Sequence, residues 1–177
     1  AASEVHVCGE ARAVPLLRRL AALCQDHIEI QEYKRLSPLS VSTTSLNGSF
    51  ANVKAGDCVV SFSRKDIHQI KQQIEATTPH RCCVVYGSLP PETRKAQAKA
   101  FNDPSPDNPF SVLVASDAVG MGLNLKISRV VFCTTSKFDG VRHRPLHKWE
   151  LLQIGGRAGR YGAHMGAGEV SCLHHDH

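Results

Sequence analysis

From residue 57 onward the chain alternates short apolar runs with segments of helical period, and this alternation constrains the fold more than any other feature. Residues 57–62 (Asp-Cys-Val-Val-Ser-Phe) and 81–86 (Arg-Cys-Cys-Val-Val-Tyr) read as strands, as do 110–115 and 129–134. Their near-continuous apolar character predicts burial on both faces, since a half-solvated strand would alternate with polar residues. Between them, 65–76 places Ile67, Ile70 and Ile74 at i, i+3 and i+7, an amphipathic helical stripe. Pro90-Pro91 opens a second helix that runs to 101, because proline suits a first helical turn. Three prolines within 102–109 make that stretch a loop. Residues 149–155 read as a further helix and 169–173 as a last strand. The predicted class is α/β, a parallel sheet sandwiched between helices.

The first fifty residues depart from this pattern. Residues 5–8 form a strand-like stub, and 13–24 read as a helix with Leu16, Leu17, Leu20 and Leu23 on one side. Residues 27–36 alternate around Ile28, Ile30 and Tyr33 and read as a strand, whereas 37–52 are polar and rich in serine and threonine, a connector. A boundary is expected near 25–27, with 1–26 as the end of a preceding domain and 27–177 as the main one. A length of 177 residues suits one ordinary domain, or one and a fragment of a second.

Composition narrows the class. With 42% hydrophobic and 21% charged residues, bulk disorder is excluded. No apolar run approaches the ~20 residues of a membrane span, so no membrane partner is expected. The opening stretch has neither the basic leader nor the apolar core of a signal peptide, and it starts in mid-pattern without methionine, which suggests an excised segment. A formal charge of +5 favours a polyanionic partner. The seven cysteines form no C-x-x-C pair and lie mostly in apolar runs, so they read as reduced core thiols.

Two segments carry chemistry. Gln153-Ile-Gly-Gly-Arg157-Ala-Gly-Arg160-Tyr-Gly162 combines glycines, which let backbone approach a ligand, with two arginines three apart, expected on one helical face. Guanidinium groups match phosphate oxygens bidentately and can stabilise charge that develops in phosphoryl transfer. Ser116-Asp117-Ala-Val-Gly120-Met-Gly122-Leu-Asn124 follows a buried strand, at the sheet edge where open α/β folds bind ligands. Ser61-Phe-Ser63-Arg64 and Tyr86-Gly87-Ser88-Leu89 end two other strands; their hydroxyls and amides can hold a nucleic-acid backbone or serve as helix caps. No G-x-x-x-x-G-K-[ST] phosphate loop and no G-x-G-x-x-G occur. His143 and His147 lack an evident third ligand, and the terminal His174-His175-Asp176-His177 is a poor metal grip, so no metal site is expected.

Taken together, these residues resemble the second RecA-like domain of a superfamily-two nucleic-acid helicase of the DExH/Ski-like kind. Residues 153–160 look like motif VI, 116–124 like motif V, 60–64 like motif IV and 86–89 like its neighbour. Glu4-Val-His-Val-Cys-Gly-Glu10, Tyr33-Lys-Arg-Leu36, Tyr86-Gly-Ser-Leu-Pro-Pro91, Lys137-Phe-Asp-Gly140 and Arg144-Pro-Leu146 look more closely like the Suv-three family, the mitochondrial ATP-dependent RNA helicases of the RNA degradosome. The resemblance implies that Gln153, Arg157 and Arg160 face the γ-phosphate of ATP, with Arg160 as the arginine finger. It implies that Gly122 and Asn124 border the nucleotide's sugar and phosphates. Ser63, Gly87, Ser88, Ser116 and Asp117 would line the RNA backbone path, serine replacing the commoner threonine at 116. Residues 5–10 would correspond to motif III territory at the end of the first RecA-like domain. ATP and Mg²⁺ would bind mainly to that first domain, whose phosphate loop and acidic box this chain lacks, so the chain alone is expected to be inactive. An exoribonuclease is an implied partner. RNA over DNA rests on the resemblance alone. A DNA-directed helicase and a non-catalytic RecA-like scaffold therefore stay open.

Overall fold

The computed structural model describes residues 2–35, 37–120, 122–160 and 166–175. Contacts divide the chain into two units, Ala1–Lys34 and Arg35–His177. In the first, a 3-10 turn at Ala11–Ala13 leads into helix α1, Val14–Cys24, which has proline in its first turn. Gln25 stops α1 in a left-handed conformation (φ 56°), its amide donating to the carbonyls of Ala21 and Ala22. No residue of α1 is buried, and Leu16, Leu20 and Leu23 are exposed. The strands expected at 5–8 and 27–36 do not form among the described residues. Alternation alone does not make a strand, and within 27–34 the Gln31 side chain donates to Glu29 at 2.9 Å. Leu36 lies outside the described residues.

The second unit is the expected α/β sandwich. Its strands are β1 (Leu39–Val41), β2 (Asp57–Val60), β3 (Arg81–Val85), β4 (Phe110–Ala115), β5 (Arg129–Phe132) and β8 (Gly168–Cys172), all parallel, in the order β1-β8-β5-β2-β4-β3. A small antiparallel hairpin, β6 (Ser136–Phe138) and β7 (His143–Pro145), stands apart from that sheet. Helices α2 (Arg64–Thr77), α3 (Pro91–Asn102) and α4 (Lys148–Gly155) complete it. The strand β1 was not expected, because Leu-Ser-Val inside a polar stretch carries too short a pattern.

Residue parity sorts the core into two layers. Cys58, Val60, Cys83, Val85, Leu113, Ala115, Val130 and Phe132 point to the layer holding Ala98 and Phe101 of α3 and Ile154 of α4. Val59, Cys82, Val84, Val112, Val114 and Val131 point to the opposite layer, filled by Ile67, Ile70 and Ile74 of α2. Both sheet faces are thus covered, as a parallel sheet requires. The edge strand β3 is closed by side chains: the Cys82 amide donates to Glu75 at 2.9 Å and the Val84 amide to Gln97 at 2.7 Å. Burial pushes the thiols of Cys82 and Cys133 up to about 12 and that of Cys83 to about 11, and Cys58 further still. These thiols stay protonated and inert.

At the amino end of β2, Asp57 is almost wholly buried and accepts from Arg129 of β5 at 2.6 and 3.0 Å. It also accepts from the Lys54 amide at 2.8 Å, so one carboxylate fixes the register of two central strands and the loop before them. The aspartate holds the guanidinium pKa of Arg129 above its ordinary value. Truncating one partner of a buried pair strands the other charge. Asp57→Ala is therefore expected to destabilise the domain by about 3–5 kcal/mol, whereas Asp57→Leu combined with Arg129→Met should recover most of that loss. Urea denaturation midpoints check both; equal losses from the single and double variants would refute the account.

Candidate functional site

All strands of the sheet are parallel, so the loops after β2, β3 and β4 share its carboxyl edge. Ser63, after β2, caps α2 by accepting from the Asp66 amide at 3.4 Å. Gly87 and Ser88, after β3, are exposed, and no atom lies within 4 Å of where a Gly87 Cβ would sit. Arg64 donates to the Ser88 hydroxyl at 3.4 Å, which ties these two loops together. After β4, the Ser116 amide donates to Val85 at 2.9 Å, and its hydroxyl accepts from Ala118 at 3.1 Å to cap the 3-10 turn Asp117–Gly120. That hydroxyl is mostly spent on its own turn. Asp117 is half-exposed at the same edge.

Gln153, Arg157 and Arg160 belong to a different place. The expectation of one helical face for the two arginines fails, because α4 stops at Gly155 and a turn follows. Arg157 is buried in that turn, whereas Arg160 is exposed beyond Gly159. Gly159 has φ +60°, and a Cβ there would sit 2.3 Å from the Gly168 backbone nitrogen, so only glycine fits. Its amide donates at 2.8 Å to Ile127, which puts the turn beside the amino ends of β5 and β8.

The loop over residues 117–127 runs from the carboxyl end of β4 to the amino end of β5 and spans the two groups. Arg157 grips its middle, donating to the Gly120 carbonyl and, at 3.1 Å, to that of Leu123. The Gln153 side chain packs on Gly120 one turn earlier on α4. Gly122 is exposed with φ +75°, and the Asn124 carbonyl accepts from Asn102 at 2.8 Å. The structure therefore gathers Gln153, Arg157 and the loop carrying Gly122 and Asn124, and keeps Ser63, Gly87, Ser88, Ser116 and Asp117 at the other edge. Burial, and then the neighbouring charge of Arg160, holds the Arg157 pKa below its ordinary value. Among the described residues no carboxylate lies within ion-pair distance of Arg157 or Arg160. Two cations without protein counter-ions suit an anionic ligand. Tyr161, Gly162 and Met121 lie outside the described residues, as do Asp176 and His177 of the terminal histidine run.

Sequence reasoning missed a charged junction between these groups. Glu150, buried in the first turn of α4, accepts from Arg144 at 2.8 and 3.1 Å and from the His147 amide at 2.7 Å, and pairs with Lys137 at 2.6 Å. Lys137 also pairs with Asp117 at 3.3 Å. The Arg144 hydrogen bonds, then those from Lys137 and His147, hold the Glu150 carboxyl far below the usual carboxylate range against the effect of burial. Lys137 and Arg144 face each other across β6 and β7, so the hairpin docks on α4 through one carboxylate. The one available signal was the spacing of His147 and Glu150, which closes a capping box with histidine in place of serine or threonine.

Comparison with known proteins identifies the family and the fold. Residues 43–162 match the family described as Helicase conserved C-terminal domain. The chain is similar to the ATP-dependent RNA helicase SUV3, mitochondrial, of Oryza sativa subsp. japonica, 56% identical over 98% of this chain and 30% of that relative. It is 45% identical to the ATP-dependent RNA helicase SUPV3L1, mitochondrial, of Danio rerio, over 99% of this chain and 23% of that one. The chain thus spans less than a third of the length of these curated relatives. In fold it is similar to the C-terminal domain of the DEAD-box protein Dbp5, with a TM-score of 0.55 at 15% identity, covering 78% of this chain and 76% of that one. The parallel sheet between helix layers is thus the RecA-like fold of helicase C-terminal domains, and the chain belongs to the helicase conserved C-terminal domain family.

Proposed function

We propose that this chain is the carboxyl-proximal motor domain of a mitochondrial ATP-dependent RNA helicase that acts in RNA degradation. One observation carries the reading: a cationic turn with no counter-ion among the described residues lies at one sheet edge, polar strand ends lie at the other, and a loop gripped by Arg157 spans them. The high identity to SUV3 and SUPV3L1 proteins supports RNA and mitochondria over other choices. Ser63, Gly87, Ser88, Ser116 and Asp117 take the RNA backbone, which such groups can hold without reading sequence. Gly122, Asn124, Gln153, Arg157 and Arg160 face ATP. The turn offers arginines where a divalent cation needs carboxylate oxygens, so Mg²⁺ and most ATP contacts fall to a companion RecA-like domain of the same protein. When the two domains close, Arg160 meets the γ-phosphate, and the loop over 117–127 passes its displacement to the RNA-facing edge. An exoribonuclease is the fitting partner for a helicase in this role.

A DNA-directed helicase would share every one of these contacts, since no group here is reserved for a 2′-hydroxyl. Unwinding of matched RNA and DNA duplexes by the full-length protein separates the two, and preference for DNA would refute the RNA reading. A scaffold has no need of Gln153 and of two arginines that pair with no carboxylate among the described residues.

Residues 1–177 alone are expected to hydrolyse ATP no faster than buffer, because the lysine loop and metal-binding carboxylates are not among them. RNA-stimulated turnover by the purified chain would overturn the two-domain account. In the full-length protein, Arg160→Ala should lower kcat by roughly 10³–10⁵, the range of arginine fingers. RNA affinity without nucleotide should barely change, and Lys should rescue poorly, offering a point charge in place of a planar fork. Near-normal hydrolysis with lost RNA binding would move Arg160 to the nucleic-acid path.

A further inference from the structure

We infer that Arg35 is a positioning residue for the arginine-bearing turn, its guanidinium spanning the carbonyls of Gly156 and Ala158 and so fixing where Arg160 leaves the fold. The inference rests on the reading of Arg160 as an arginine finger.

A helix leaves its last carbonyls without intrahelical partners. At the end of α4 the turn's own amides serve some of them: Gly156 donates to Leu152 at 2.9 Å, Arg157 to Ile154 at 3.0 Å and Ala158 to Gly155 at 3.1 Å. The carbonyls of Gly156 and Ala158, on either side of Arg157, point elsewhere. Arg35 Nη1 donates to Gly156 at 2.9 Å, and Nη2 donates to Ala158. The Arg35 Nε donates to its near neighbour Ser37 at 2.6 Å, which braces the fork on its own backbone. Among the described residues no carboxylate pairs with Arg35. Its donors are committed to backbone, and a cation at a helix carboxyl end is favourably placed.

The tether is one of several attachments that hold the turn, with the Gly159 amide donating to Ile127 at 2.8 Å. On one side the turn is held by Arg157, which grips Gly120 and Leu123. On the other it is held by Arg35, more than a hundred residues away in sequence. Gly159, left-handed, then directs the chain to Arg160. Arg35 is itself exposed, and its loss removes two hydrogen bonds to the turn without opening the apolar core. That loss would let the turn drift, and a drift of about 1 Å at a catalytic group can cost about 10²-fold in rate. Lysine cannot span two carbonyls as a planar fork does.

The test measures RNA-stimulated ATP hydrolysis in the full-length protein for Arg35→Ala, Arg35→Lys, Arg160→Ala and the double alanine variant, with melting temperatures alongside. Arg35→Ala is expected to lower kcat by roughly 10–10² with KM for ATP nearly unchanged, and Arg35→Lys should recover little. In the Arg160→Ala background, Arg35→Ala should cost nothing further, since it acts only through that residue. A multiplicative loss in the double variant, or an unchanged kcat in Arg35→Ala where Arg160→Ala collapses, overturns the inference. Near-normal hydrolysis by Arg160→Ala instead refutes the finger reading. Amide exchange at Arg157 and Gly159 then judges the tether separately: faster exchange in Arg35→Ala upholds it, and unchanged protection overturns it.

Discussion

Everything in the second unit follows from burying both faces of a parallel sheet. Strands β2, β4 and β5 have no solvated side, so their interiors hold apolar side chains alone and polar chemistry is displaced to the strand ends. Serines collect where strands leave the sheet, at Ser61 and Ser116, and the glycine-packed turn collects where β5 and β8 begin. Two sets of candidate site residues at opposite edges are therefore a product of the core, and a connection that crosses the sheet links them. The loop over 117–127 is that connection. Val119, Leu125 and Ile127 bury it in the same layer as α3 and α4, while Gly122 and Asn124 stay exposed between them.

Two buried carboxylates complete what apolar packing cannot specify. Apolar contacts are non-directional and tolerate sliding, whereas a charged pair in a low-dielectric setting is sensitive to fractions of an ångström. Asp57 with Arg129 fixes β2 against β5 at the amino edge. Glu150 with Arg144 and Lys137 fixes the hairpin against α4, and Lys137 carries the junction on to Asp117. In each case an arginine meets both carboxylate oxygens. Backbone amides take up the remaining acceptor capacity of both groups.

The central sheet was legible because the physics that buries it writes directly into the sequence. Cys82-Cys83-Val84-Val85 and the run ending Val112-Leu113-Val114-Ala115 leave no other sensible reading, and Ile67, Ile70 and Ile74 mark one face of α2. Short elements held by distant partners were not legible. Strand β1 has three residues and exists through its pairing with β8. The hairpin of β6 and β7 is three residues a side, and its anchor is Glu150, outside it in sequence. Alternation at 27–36 read as a strand, but alternation is only permission to pair, and none of the described residues there forms a strand. Spacing nominated the candidate site residues, but it carried no information on their environments. Nothing in Gln-x-x-Gly-Arg-x-Gly-Arg reveals that its first arginine is buried on carbonyls and its second exposed.

Helix α4 shows how these constraints combine. Eight residues are too few for an isolated helix to be stable in water, and its apolar contact with the core runs mainly through Ile154. Its order comes from three charged attachments: Glu150 at the amino end, Arg157 to the crossing loop and Arg35 at the carboxyl end. Each joins α4 to a different part of the unit, respectively the hairpin, the loop over 117–127, and the stretch where the unit begins. A long helix packed by many side chains would resist displacement as a block. A short one suspended between polar attachments responds to whichever part moves first. Gln153 lies one turn from Glu150, and Lys137 pairs with both Glu150 and Asp117, so α4 is joined to Asp117 through the hairpin as well as to Gly120 through Gln153.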